Sequence, residues 1–84
     1  MKIELLIAEG CPFCREAEQV WRTAAAERQA EFKLLDVSHP DGQTLTQKLA
    51  LNTVPAVLID GTLKGVGIQT LTEARRLLGK YPDN

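Results

Sequence analysis

The sequence predicts an α/β domain in the order βαβαββα, with a four-stranded mixed sheet flanked by three helices. Three observations carry this. Short apolar runs that suit buried strands alternate with segments whose apolar residues recur at helical spacing. The connection between the first two runs has the size of a βαβ crossover, which implies parallel pairing and a right-handed turn of the chain. The last two runs flank Asp60-Gly61, a two-residue hairpin signal that makes the third and fourth strands antiparallel.

Each element has its own local reason. Lys2 to Ala8 is a predicted buried strand that Glu9-Gly10 breaks. From Pro12 to about Arg28, the residues Phe13, Ala17, Val20, Trp21, Ala24 and Ala25 recur on one helical face. The charged residues Arg15, Glu16, Glu18 and Arg22 fall mostly on the other face. Phe32 to Val37 is a predicted second buried strand. The turn-rich loop from Ser38 to Gly42 offers Ser38 or Asp41 as the cap of a short helix from about Gln43 to Leu51, with Asn52 available for a left-handed exit. Ala56 to Ile59 and Thr62 to Gly65 are the hairpin strands. The last helix, Leu71 to Leu78, opens on a capping box written Thr70-Leu71-Thr72-Glu73 and stops at Gly79. Tyr81 to Asn84 is expected to fray.

Composition narrows the function classes. Eighty-four residues are expected to form one domain spanning positions 1–84. A chain of this size buries roughly 60–65% of its unfolded surface. Ten Lys and Arg balance eleven Asp and Glu, which leaves no electrostatic footprint for nucleic acid or an acidic membrane. No apolar run approaches the roughly 18 residues of a membrane span, and Met1-Lys2 leads straight into the first strand. A cytoplasmic location is the expectation. In a reducing compartment, a lone Cys-x-x-Cys is better suited to cycling than to stapling.

That motif, Cys11-Pro12-Phe13-Cys14, is where the chemistry concentrates. Residues i and i+3 at the start of a helix lie on one face, so the two sulfurs can meet in disulfide geometry. With Cys11 at the N-cap, Pro12 would take the first helical position, where its missing N–H removes no intrahelical bond. The unpaired amides and the positive end of the helix dipole would then favour a thiolate at Cys11. The plainer alternative is a structural disulfide or two inert thiols, but so short a loop constrains little of the unfolded chain. A zinc site needs four ligands, and the chain offers Cys11, Cys14 and His39, the last in a distant loop and expected to be an ordinary surface histidine. Two subunits together could supply four thiolates to a shared iron–sulfur cluster, although Pro12 restricts the turn. No metal or organic cofactor is expected.

The order βαβαββα, the Cys11-Pro12-Phe13-Cys14 motif after the first strand, Thr53-Val54-Pro55 before the third, and Gly65-Val66-Gly67 after the fourth together resemble the thioredoxin superfamily, in its small glutaredoxin-like branch. The resemblance covers nearly the whole chain. It implies that Cys11 is the exposed nucleophile, Cys14 the resolving cysteine, and Pro55 a cis-proline packed against them. Pro55 could equally begin a strand, where proline is tolerated. If cis, it would leave the Val54 backbone free to pair with an extended substrate chain. Phe13 is expected at the rim of the site rather than in the core. Arg15 is either a solvated helix charge or a group that steers anionic substrate and favours thiolate. Trp21 is expected in the core or half-exposed on the helix surface. Thr53, Val54, Gly65, Val66 and Gly67 complete the expected substrate-binding set with Pro12.

Two departures from the glutaredoxin pattern bear on the electron donor. Glutaredoxins usually carry a basic residue before the motif and an acidic one shortly after the glycine pair. Here Glu9-Gly10 precedes Cys11, and Gly67 is followed by Ile68-Gln69-Thr70. Glutathione presents both carboxylate and ammonium, so both absences weaken its charge-assisted recognition. The expected activity is therefore thiol–disulfide oxidoreduction on protein or small-molecule disulfides by a monomer. A thioredoxin-reductase-type flavoprotein is the expected donor, and glutathione, as for a true glutaredoxin, is the alternative. A redox-sensing or cluster-binding module is the alternative of another class. On this reading, Gly10→Lys with Gln69→Asp should restore glutathione-dependent activity.

Overall fold

A computed structural model describes residues 1–79; the predicted frayed tail lies outside the described residues. Seven elements follow one another in the predicted order: β1 (Lys2–Ile7), α1 (Cys14–Glu27), β2 (Glu31–Asp36), α2 (Pro40–Lys48), β3 (Ala56–Ile59), β4 (Thr62–Val66) and α3 (Leu71–Leu78). The four strands form one mixed sheet in the order β2-β1-β3-β4. β1 runs parallel to β2, from Lys2 opposite Glu31 to Ile7 opposite Asp36, and antiparallel to β3, from Ile3 opposite Ile59 to Leu6 opposite Ala56. β3 and β4 close the antiparallel hairpin, with Lys64 forming a bulge between the Val57–Gly65 and Leu58–Leu63 pairs.

Strand alternation sends side chains to two cores. Ile3, Leu5, Val57 and Ile59 pack with Ala17, Trp21, Ala24 and Ala25 of α1 and with Ala74 and Leu78 of α3. Leu6, Ala56, Leu58 and Leu35 form the other core, against which Leu45, Leu49 and Leu51 are packed. Thus α1 and α3 cover one face of the sheet and α2 the other. β3 is buried along its whole length because it has a layer on each side and a strand on each edge.

Several boundaries differ from the sequence expectation. β2 is an edge strand, and only Leu35 in it is buried, so it is not the buried strand that its composition suggests. It also begins and ends one residue earlier, at Glu31 and Asp36, and the Val37 N–H just past its end donates to the Ile7 carbonyl at 2.9 Å. β1 stops at Ile7 rather than Ala8, and β4 extends to Val66 rather than Gly65. α2 starts at Pro40, with His39 in the N-cap position and exposed, as expected of a surface histidine. Pro40 suits the first helical position with its fixed φ. Gly42 lets the helix lie against the end of β2, since a Cβ there would collide with the Asp36 carbonyl. Ser38 is no cap; its N–H and hydroxyl both donate to Asp36 Oδ1, at 2.8 and 2.6 Å. These bonds hold the Asp36 carboxyl below its usual range. The left-handed exit falls to Ala50 (φ 53°), not Asn52, and the Leu51 N–H then returns to the Thr46 carbonyl at 2.9 Å.

α3 follows the prediction in both bounds and cap. The Thr70 hydroxyl accepts from the Glu73 N–H at 3.0 Å, and Glu73 Oε1 accepts from the Thr70 N–H at 2.8 Å. Replacing the cap by Thr70→Ala should lower stability by about 1 kcal/mol in urea melts near neutral pH. The Thr70 backbone N–H, then the Thr70 hydroxyl, hold the Glu73 carboxyl below its ordinary value. A depressed carboxylate stabilises the fold above its unfolded pKa and loses that contribution as pH falls through the folded one. The stability gap between wild type and Glu73→Ala should therefore narrow in acid, and a gap constant from neutral pH to pH below about 4 would contradict the bond from the Thr70 N–H to the Glu73 carboxylate.

Candidate redox site

Parallel β1 and antiparallel β3 and β4 bring three chain segments to one end of the sheet. β1 leads out through Ala8 to Cys11, Pro55 leads in to Ala56 opposite Leu6, and Val66 ends β4 opposite Ala56. α1 and α3 both begin at this end, where the chain returns from the sheet.

Cys11 and Cys14 are joined as a disulfide with their Cα atoms 5.5 Å apart. The helix does not start where the sequence suggested. Cys11 is not the N-cap, nor Pro12 the first helical residue; Phe13 is the N-cap and Cys14 the first residue of α1. Pro12 and Phe13 make a turn instead, and the first intrahelical bond runs from the Ala17 N–H to the Phe13 carbonyl at 3.1 Å. No side chain among the described residues caps this end. The Cys11 N–H donates to the Ala8 carbonyl at 3.3 Å, and Gly10 between them has φ +78°, in the left-handed region. The two cysteines are unequal. Cys14 is 6% exposed at the head of the buried face that continues through Ala17 and Trp21, whereas Cys11 is only half-buried.

The remaining predicted residues lie at this same end of the sheet. The Val54–Pro55 peptide bond is cis, Pro55 is buried, and the Gly67 N–H donates to the Pro55 carbonyl at 2.7 Å. Val54 is half-buried, and its backbone makes no hydrogen bond among the described residues. Thr53 is exposed, and its hydroxyl donates to Asn52 Oδ1 at 3.2 Å. Pro12 and Arg15 are exposed beside the disulfide. Phe13 and Val66 are 58% and 50% exposed, apolar side chains turned to water near the end of the sheet. Gly65 and Gly67 are half-buried on either side of Val66. No group of His, Cys, Asp and Glu side chains that could hold a metal occurs among the described residues.

Two features were not read from the sequence. A groove of about 340 Å³ runs beside the Thr53–Val54 segment, lined also by Val37, Thr46, Leu51 and Asn52. Residues so far apart along the chain leave no local signal. The second is Gln69. Trp21 is fully buried, and its indole N–H donates to Gln69 Oε1 at 3.1 Å, while Gln69 Nε2 donates to the Val66 carbonyl at 3.3 Å. A buried indole N–H needs an acceptor, and losing it costs about 1–3 kcal/mol. This corrects the expectation for Gln69→Asp, whose shorter side chain would abandon Trp21. Gly10→Lys is corrected too, because it would force a side chain into a left-handed conformation.

Comparison with known proteins agrees with this architecture. The fold matches thioredoxin 1 from Thermosipho africanus with a TM-score of 0.76 at 21% identity, over 96% of this chain and 93% of that one. A mutant thioredoxin from Halobacterium salinarum gives a TM-score of 0.76 at 25% identity, over 95% of this chain and 73% of that one. NrdH-redoxin from Escherichia coli, described as a glutaredoxin-like protein with a thioredoxin-like activity profile, matches over 100% of both chains with a TM-score of 0.65 at 18% identity. No curated protein matches the chain. The thioredoxin-domain family model matches residues 1–79, a span that includes every element of the sheet and the whole redox pair. The chain thus belongs to the thioredoxin-domain family, and with Cys11 and Cys14 paired at the head of α1 it is a dithiol–disulfide oxidoreductase.

Proposed function

We propose that this protein reduces disulfides in protein substrates as a cytoplasmic monomer, and that a thioredoxin-reductase-type flavoprotein recharges it in preference to glutathione. In this cycle the Cys11 thiolate attacks one sulfur of the substrate disulfide and the other leaves as a thiolate. Cys14 then loses its proton and attacks the Cys11 sulfur, which releases the second substrate thiolate and leaves the Cys11–Cys14 disulfide. Two electrons pass to the substrate, and its two thiolates take up protons. The reductase returns two electrons to the pair.

The observation that carries the assignment is the inequality of the cysteines. Cys11 is half-buried while Cys14 is only 6% exposed, so an incoming disulfide reaches Cys11 first. The first-turn amides of Cys14, Arg15 and Glu16 lack intrahelical acceptors, and their partial positive charge favours a thiolate just ahead of the helix. Beginning the helix at Cys14 rather than Pro12 weakens neither point, since Cys11 still lies ahead of those donors. The free backbone of Val54 offers a strand-like partner for an extended substrate. The activity profile described for the Escherichia coli NrdH-redoxin supports the choice of a reductase donor on a glutaredoxin-like frame.

Alkylation tests the assignment. With the reduced protein and limiting iodoacetamide near neutral pH, peptide mass spectrometry should find Cys11 modified roughly tenfold or more faster than Cys14. Equal rates at the two positions would remove the nucleophile role from Cys11.

A further inference from the structure

Gln69 lies in the connection between β4 and α3, yet it is half-buried and its amide is engaged at both ends. On one side it accepts from Trp21, which stands on the buried face of α1 that Cys14 begins. On the other it donates to the carbonyl of Val66, the half-exposed last residue of β4. Gly65 makes room for this arrangement, because a Cβ there would come within 2.8 Å of Gln69 Nε2. The residue after Val66 is Gly67, whose N–H donates to the carbonyl of cis Pro55. A single side-chain amide therefore connects the core beneath the redox helix to the backbone beside the cis-proline.

We infer that Gln69 is a positioning residue for partner docking, a strut that holds the Val66–Gly67 backbone in one conformation before a partner chain arrives. The inference rests on the proposed reading that an extended substrate lies along Val54 next to Cys11. A rim ordered in advance spares the complex the entropy of ordering it, so the strut acts on binding and not on the sulfur chemistry. A small disulfide that reaches Cys11 without lying along the rim gains nothing from it.

Two variants separate these effects. Gln69→Leu keeps the bulk and removes both hydrogen bonds, while Trp21→Phe keeps an aromatic core and removes the anchor alone. With insulin as substrate and dithiothreitol as reductant, Gln69→Leu should raise KM roughly five- to tenfold and leave kcat within about twofold, and Trp21→Phe should give a smaller rise in the same direction. Reduction of a bis(nitrobenzoate) disulfide should be unchanged in both. By NMR, the Gly67 amide should exchange with solvent faster in the oxidised variants than in the wild type. A loss in kcat alone, an equal loss on the small disulfide, or unaltered Gly67 exchange would overturn the role of Gln69. Should the wild type leave insulin intact, the substrate reading falls by itself, and the Gly67 exchange comparison still decides whether the strut exists.

Discussion

Cys11→Ser should abolish disulfide reduction, and Cys14→Ser should retain the first attack but stop at a covalent adduct with the substrate. The difference follows from the order of the two sulfur transfers. A hydroxyl at position 11 offers no thiolate to attack the substrate sulfur, so nothing begins. A hydroxyl at position 14 leaves Cys11 ahead of the open first turn of α1, competent to form a mixed disulfide that no neighbouring thiolate resolves. Insulin turbidity in the presence of dithiothreitol should show no turnover above the uncatalysed background for Cys11→Ser. Non-reducing gels and intact mass spectrometry of Cys14→Ser should show the protein joined one-to-one to its substrate, and the same variant would capture partners from a lysate for identification. Wild-type turnover of protein disulfides by Cys14→Ser would rule out the dithiol cycle. Neither substitution should unfold the protein, because the loop that the disulfide closes is too short to restrict the unfolded chain much.

Electrons should reach the protein from a thioredoxin-reductase-type flavoprotein more readily than from glutathione. Two ionic contacts familiar in glutaredoxins are missing, and at exposed sites such contacts contribute about 0.5–1 kcal/mol each. Together they correspond to a roughly five- to thirtyfold loss of glutathione affinity. The two positions suggested by sequence alone are unsuitable for restoring them, since Gly10 is left-handed and Gln69 is held between Trp21 and Val66. Their exposed neighbours Glu9 and Ile68 carry neither constraint among the described residues. Glu9→Lys combined with Ile68→Asp should therefore raise activity in the coupled hydroxyethyl disulfide assay with glutathione and its reductase by about the same factor. If the wild type already works as well with glutathione as with thioredoxin reductase, the donor assignment is wrong and the chain functions as a glutaredoxin.

What the sequence displayed, it displayed where one segment decides its own structure. α3 agrees to the residue because its cap, its apolar face and its terminal glycine all lie within ten positions of one another. The hairpin at Asp60-Gly61 agrees for the same reason, with both residues at positive φ as a tight turn requires. The cysteine motif was equally visible, but the exact start of its helix was not, since the Cys11–Cys14 closure and the Pro12–Phe13 turn are settled together. β2 appeared buried because Phe32, Leu34 and Leu35 are apolar; its place at the edge depends on which strands take the centre, and that is set by β3 pairing with β1. The start of α2 depended on Gly42 meeting the Asp36 carbonyl, a contact between two elements. Gln69 was invisible for the same reason in stronger form: its partners are 48 residues and three residues away, and only the fold makes them neighbours of one another.

Trp21 is the sole tryptophan of the chain, and the one tyrosine lies beyond the described residues. Emission excited at the red edge of protein absorbance therefore comes from one indole, fully enclosed and hydrogen-bonded to the connection that borders the redox end. The molecule carries its own optical gauge. A shift of that band to longer wavelength signals water entering the layer between α1 and α3. A change of intensity without a shift signals an altered partner for the indole N–H. A single cuvette can thus follow the opening of this layer during unfolding, with no dye attached and no residue replaced.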